Sequence, residues 1–291
     1  MSNDDGLPSL REVIRALDIA PKKSLGQNFI LDLNLTRRIA RSSGALDGLT
    51  VIEVGPGPGG LTRALLLEGA RRVIAIERDD RCLPALHAIA ARYPGRLEIV
   101  AQDALAVDWR GLVGDTAPAD VRIIANLPYG IATRLLIGWL ETAQWPPWYG
   151  GMTLMFQKEV AERIVAEPGT KAYGRLAVIA QWRTSCRIDL VLPPTAFTPA
   201  PKVSSAVVEF IPRTVLEPMC DVRTLGRVTA AAFGQRRKML RTSLKAVTER
   251  PETVLEPLGL SPELRGERLT VADFARLAAA IDAAASTRSA G

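Results

Sequence analysis

Four consecutive residues, Asn126-Leu127-Pro128-Tyr129, set two neutral hydrogen-bond acceptors beside an aromatic ring. The acceptors are the Asn126 side-chain oxygen and the Leu127 backbone carbonyl, which Pro128 stiffens by fixing its own φ. Such a pair suits the exocyclic amine of a base, whose lone pair is delocalised into the ring. Each acceptor takes one amine proton, and the lone pair is then aimed at an electrophilic carbon. Tyr129 offers a face on which the base stacks. Phe197 is a second candidate for stacking, with a plain core aromatic as its alternative. Displacement from an excellent leaving group draws much of its rate from proximity and orientation, so no strong general base is demanded. The single histidine, His87, has no acid or cysteine at ligand spacing, and no metal is expected. A base inside a duplex is out of reach, so the target must be unpaired or extruded.

The electrophile must be held nearby. The cluster Glu53-Val-Gly55-Pro-Gly57-Pro-Gly59-Gly60 follows an apolar run and opens a helix at Leu61-Thr62, where doubly wound sheets bind nucleotide-like ligands. Gly55, Gly57 and Gly60 also satisfy the dinucleotide fingerprint, so a nicotinamide or flavin enzyme competes, with a structural turn behind it. Pro56 and Pro58 weigh against a pyrophosphate, because neither supplies a backbone donor. S-adenosyl-L-methionine carries no phosphate. Its ammonium and sulfonium tolerate nearby Glu53, and glycine allows the close backbone approach it needs. Glu77 closes the next apolar run, where an acid accepts from both ribose hydroxyls; the alternative is a surface acid paired with Arg78 or Arg81. Asp103 follows a third run and suits an adenine amine, or else caps a helix or an Asx turn.

These residues need a scaffold. From Leu49 onward, short β-branched runs alternate with helical patterns, the mark of a parallel sheet wrapped by helices. Strands are expected at 50–54, 72–76, 97–100, 121–125 and 153–156, and a close pair at 186–192 and 203–211 suggests an antiparallel hairpin at one edge. The count is seven strands. The link 193–201 holds four prolines and is expected not to be helical. Helices are expected at 8–17, 158–165, 175–182, 224–233, 235–247 and 271–284, the last three in a small all-helical C-terminal domain. The expected partition is an N-terminal extension over 1–21, a catalytic domain over 22–213 and a helical domain over 214–291, to which the family resemblance set out below assigns RNA binding.

With 291 residues, 47% of them hydrophobic, the chain is long enough to bury a large core. Its three cysteines stand far apart, which excludes a disulfide framework and a Cys-x-x-Cys site and fits a reducing compartment. The first residues are acidic rather than basic and then apolar, and no apolar stretch is long enough to span a bilayer, so a cytoplasmic protein without membrane partners is expected. The net charge is +6. Residues 213–250 hold nine basic side chains against three acidic ones, an excess equal to that whole charge. If 235–247 is helical, Arg237, Arg241 and Lys245 recur one turn apart with Lys238 beside them. Like charges so placed disfavour an isolated helix, and a phosphate backbone would relieve them; a solvated face is the alternative. Lys22, Lys23 and Arg236 complete the candidate RNA contacts.

Taken together, these segments resemble the bacterial small-subunit branch of the ribosomal RNA adenine N6,N6-dimethyltransferase family. The resemblance rests on Lys23-Ser-Leu-Gly-Gln27-Asn28-Phe-Ile30, the glycine cluster, Gln102-Asp103-Ala104, Asn126 to Tyr129, and Gln157-Lys-Glu-Val160. Lys171-Ala-Tyr-Gly-Arg-Leu176, Pro193 to Val203, and Phe233-Gly-Gln-Arg236-Arg237-Lys238 extend it over nearly the whole chain. It implies a Rossmann-like seven-stranded domain with a helical C-terminal domain. The implied activity is transfer of methyl groups from S-adenosyl-L-methionine to two adjacent adenosines in a loop near the 3′ end of 16S rRNA, by a monomer. Cofactor contacts implied by position are Gln27, Asn28, Ile30, Gly55, Gly57, Glu77, Asp103 and Asn126. One departure stands out: Gly130 occupies a place usually held by asparagine. A noncatalytic RNA-binding assembly factor with the same fold is the rival from another class.

Overall fold

The computed structural model describes residues 5–21 and 26–289. Lys22 and Lys23 lie outside the described residues. In chain order the elements are α1 (Leu10–Ala16), α2 (Leu33–Arg41), β1 (Thr50–Val54), α3 (Gly60–Leu67), β2 (Arg72–Glu77), α4 (Leu83–Arg92), β3 (Leu97–Ala101), α5 (Trp109–Val113), β4 (Val121–Ala125) and α6 (Tyr129–Leu140). They continue with β5 (Gly151–Gln157), α7 (Lys158–Ile164), α8 (Arg175–Arg183), β6 (Thr184–Leu192), β7 (Ser205–Pro212), α9 (Val222–Gly234), α10 (Leu240–Ser243), α11 (Pro251–Leu255) and α12 (Val271–Ser289).

The seven strands form one sheet in the order β3-β2-β1-β4-β5-β7-β6. The first five run parallel, and β7 is antiparallel to β5. Strand β1 is buried along its whole length, as its unbroken Thr-Val-Ile-Glu-Val run requires. Chain order turns back between β1 and β4, so a crevice opens at their carboxyl ends, the general place for a ligand in such sheets. The loops entering α3 and α6 meet there.

The chain packs as two compact units. The first comprises residues up to Leu136 with Pro147–Ala161 and Arg187–Ile211; it holds the sheet and its core around Val51, Leu65, Val73, Ile124 and Val207. Its N-terminal segment is pinned by a buried ion pair, Arg63 Nε to Asp5 Oδ2 at 2.7 Å, while Arg63 Nη1 donates to the Pro8 carbonyl at 2.7 Å. Ser9 caps α1 reciprocally with Glu12. The second unit comprises Ile137–Pro146, Glu162–Cys186 and the chain from Pro212 onward, with a core around Tyr173, Trp182, Val228, Leu244, Phe274 and Leu277. The division is therefore not the contiguous one expected at 213/214. Residues 162–186 pack with the C-terminal helices because Tyr173, Val178 and Trp182 bury themselves there.

Two expected local structures are corrected. No continuous helix runs over 235–247. Gln235 to Lys238 form a turn, Met239 is extended, and only α10 with a 3₁₀ turn at Leu244–Ala246 follows. The cause is competition for donors: the Leu240 and Arg241 N–H groups donate to the carbonyls of Leu264 and Pro262, at 2.8 and 3.0 Å, instead of to their own preceding turn. The proline-rich link does contain one 3₁₀ turn, Pro194–Ala196, because proline is tolerated where the first N–H groups of a turn lack partners.

Candidate active site

The crevice is a cavity of about 380 Å³, lined from four directions by the segment 26–30, the glycine cluster, the end of β2 and the residues that begin α6. Gln27, Asn28, Ile30, Gly55, Gly57, Glu77, Asn126, Leu127, Pro128 and Tyr129 all line it, as expected from sequence. At Gly55 (φ +69°) a Cβ would stand 3.1 Å from the Pro128 ring, and at Gly57 (φ +55°) it would meet Phe29 at 2.9 Å. Glycine is required at both for the loops to close around the cavity.

Asn126 is held by one informative contact. Its Nδ2 donates to the Asn28 carbonyl at 3.2 Å, which fixes the amide so that Oδ1 faces away as an acceptor. Among the described residues nothing donates to that oxygen or to the Leu127 carbonyl. Pro128 O instead accepts from the N–H groups of Ile131 and Ala132 and starts α6. The Tyr129 hydroxyl shares a 2.6 Å hydrogen bond with the fully buried Ser205 at the start of β7, which restrains the ring. Burial pushes the Tyr129 phenol up, against the opposing Ser205 bond.

Two buried acids face the same cavity. Burial pushes the Glu53 carboxyl up to about 8; the Thr62 hydroxyl, 2.6 Å from Oε2, opposes the shift, and neighbouring Glu77 adds to it. Burial also raises Glu77, although Oε2 accepts from Gly57 N at 2.9 Å and Oε1 from Asp79 N at 2.8 Å. Glu77 thus clasps the glycine loop through Gly57 and its own turn through Asp79, and as a carboxyl lining the cavity it retains acceptor capacity for a diol. Asp79 is drawn down to about 2 by Arg81 first and Gln27 second, and it holds Gln27 at 2.9 Å. A glycine loop whose prolines withhold donors, beside the hydrogen-bond-accepting Glu77, fits a ligand that carries a diol and no phosphate, as S-adenosyl-L-methionine does.

Two expected site residues are not brought there. Asp103 does not line the cavity: Oδ1 caps its own turn at Leu105 N (2.9 Å) and Oδ2 takes Arg78 Nη1 (3.1 Å), so the capping alternative is the observed one. Phe197 lies in the hydrophobic core with 4% of its surface exposed and does not line the cavity, because the 3₁₀ turn and the mutual hydrogen bonds between Phe29 and Thr198 turn the link inward. Gly130 lines the cavity with open space where a Cβ would stand, so the backbone there does not demand glycine. Thr62, Asp79 and Ser205 went unread in the sequence. Only Asp79 carried a local signal, an acid two residues beyond Glu77; Ser205 is 76 positions from Tyr129.

The ribosomal RNA adenine dimethylase family model matches residues 20–283. The chain belongs to that family. The ribosomal RNA small subunit methyltransferase A of Xanthobacter autotrophicus is 61% identical over 279 residues, covering 96% of this chain and 95% of that one. The protein of the same name from Chelativorans sp. is 61% identical over 275 residues, covering 94% and 98%. Among solved structures, a dimethyladenosine transferase from Plasmodium falciparum superposes with a TM-score of 0.69 at 24% identity, over 83% of this chain and 93% of that one. The 23S rRNA methyltransferase ErmE gives 0.66 at 24%, over 88% and 100%. These two establish that the sheet and its helices are those of the adenine dimethylase fold.

Proposed function

We propose that the chain transfers methyl groups from S-adenosyl-L-methionine to N6 of two adjacent adenosines near the 3′ end of 16S rRNA, giving N6,N6-dimethyladenosine during small-subunit biogenesis. Family membership and the close small-subunit relatives support the reaction and its substrate class. The observation that carries the reading is the Asn126 amide, whose donor side is committed to Asn28, leaving its acceptor oxygen without a partner among the described residues in a cavity that Leu127 also lines.

S-adenosyl-L-methionine supplies an electrophilic methyl on sulfur, and the bonding pair stays with sulfur as a thioether. The chain's part is positioning. Gly55 and Gly57 let the loop approach the ligand, Glu77 accepts from ribose hydroxyls, and Gln27, Asn28 and Ile30 wall the opposite side. Glu53 places a carboxyl near cationic groups. Asn126 Oδ1 and the Leu127 carbonyl each accept a hydrogen bond from one N6–H, which orients the lone pair, while Tyr129 stacks on the base. As the N–C bond forms, the surplus proton leaves to water. A monomethylated amine retains one proton, so one acceptor suffices for the second transfer. Asp103 joins only if its bond to Arg78 opens. Arg237, Lys238, Arg241 and Lys245, all exposed, are assigned to RNA phosphates together with Lys22 and Lys23; Arg236 is occupied by Glu267 at 3.0 Å and by the Thr170 carbonyl at 3.1 Å.

The test is tritium transfer from labelled S-adenosyl-L-methionine into undermethylated 30S particles, followed by nucleoside analysis. Dimethyladenosine at two adjacent positions is expected. Tight particle binding without incorporation would leave an assembly factor in its place.

A further inference from the structure

Helix α9 carries Arg223 and Arg227 four residues apart, both exposed, and Arg175 opens α8. All three line one open cleft of about 500 Å³ in the helical unit, with Gly226 between the two α9 arginines and Glu141 as the sole acid among its lining residues. Among the described residues neither Arg175 nor Arg223 has a side-chain hydrogen bond or ion pair. Arg227 is steadied from behind: Nη2 donates to Thr224 Oγ1 at 2.8 Å, and Asp282 lies 3.9 Å away. Gly226 places no side chain in the cleft, and a Cβ there would meet nothing within 4 Å. The floor therefore stays open between the flanking cations.

Like charges one turn apart disfavour a helix unless something neutralises them. Guanidinium forks match carboxylates and phosphates in geometry, and phosphate is the group an RNA enzyme meets repeatedly. The lining has no aromatic ring on which a base could stack. Recognition would be of the backbone alone, which fixes register and not sequence. Resting on the proposed rRNA substrate, we propose that Arg175, Arg223 and Arg227 form a docking cleft for the RNA phosphodiester backbone, separate in the sequence from the cations of 236–245. The segment singled out by charge spacing loses its helix, whereas α9 is a real helix that presents a basic pair at that spacing.

The experiment measures affinity of the full chain for undermethylated 30S particles, and for protein-free 16S rRNA, against salt concentration. Replacing both residues in the Arg223→Gln, Arg227→Gln protein should lower the slope of log affinity on log salt by about 1.5, and affinity at 0.1 M salt by about ten-fold, on both probes. Arg175→Gln should lower the slope by about 0.8. Glu141→Gln should tighten binding a few-fold. Thermal melts show that each variant is folded. Unchanged slopes in folded variants would overturn the proposal. So would a loss confined to intact particles, because the cleft would then be serving a ribosomal protein. If the variants show the expected slope changes while wild-type protein transfers no tritium, the enzymatic reading is defeated and the cleft stands.

Discussion

Residues 126–129 and 235–247 carry the two assignments that lean most on spacing, and the structure treats them in opposite ways. The first keeps its form because every constraint on it is specific: Pro128 fixes a dihedral, Asn28 takes the Asn126 amide, and Ser205 takes the Tyr129 hydroxyl. The second is defined only by a charge period, and periodicity cannot hold a helix when the Leu264 and Pro262 carbonyls compete for its donors. Side-chain chemistry that is locked by particular partners survives folding. A stripe of like charges survives only if the backbone has no better offer.

This contrast can be broken at several points. The largest effect concerns Glu53. In the folded chain it keeps its proton to about pH 8, while unfolded it titrates near 4.5, so the folded state binds more protons between those values. Stability must then fall as pH rises through that window, by up to on the order of 5 kcal/mol. Thermal melts at pH 5 and pH 8 should show the decline in the wild type and a flatter profile in Glu53→Gln; parallel profiles would remove the buried acid from the account. Next, Asn126→Ala should lower turnover about 100-fold while keeping most particle affinity, since orientation is lost and surface contacts are not. A fully active variant would sink the acceptor pair.

A smaller effect is expected at Ser205. Losing one hydrogen bond worth about 1 kcal/mol should reduce kcat about five-fold in Ser205→Ala with KM little changed. Tyr129→Phe should do the same, and the double variant should add nothing beyond either. Additive losses would separate the two residues. The smallest effect is a coupling near zero. Because 237 and 245 do not share a helical stripe, Arg237→Ala and Lys245→Ala should each lower the salt slope by about 0.8, and their changes should simply sum. A strong departure from additivity would restore the stripe.

The sheet was legible because its strands are β-branched runs bounded by turn residues, and β1 and β4 agree with their expected limits at both ends. The cavity was legible because glycine, proline and asparagine act on the backbone of their own segment. What stayed hidden depends on distant partners. Phe197 reads as a stacking ring in isolation, and only the pairing of Phe29 with Thr198 turns it into the core. Asp103 reads as a ligand until Arg78 is seen beside it. Residues 162–183 sit between strands β5 and β6 in the sequence, and nothing local says that their apolar face joins the helical unit.

The ion pair between Asp5 and Arg63 gives the small-molecule site an anchor outside its own lining. Leu10, two residues beyond the Pro8 carbonyl that Arg63 also holds, is itself part of the cavity wall. Removing Asp5 would leave a buried guanidinium without its counter-charge, held only by the Pro8 and Leu7 carbonyls, at a cost of about 3–5 kcal/mol, which loosening the first helix would relieve. Ligand affinity thus becomes a reporter of how firmly residues 5–16 are moored, and releasing Asp5 would weaken the grip on a methyl donor before it touched the chemistry.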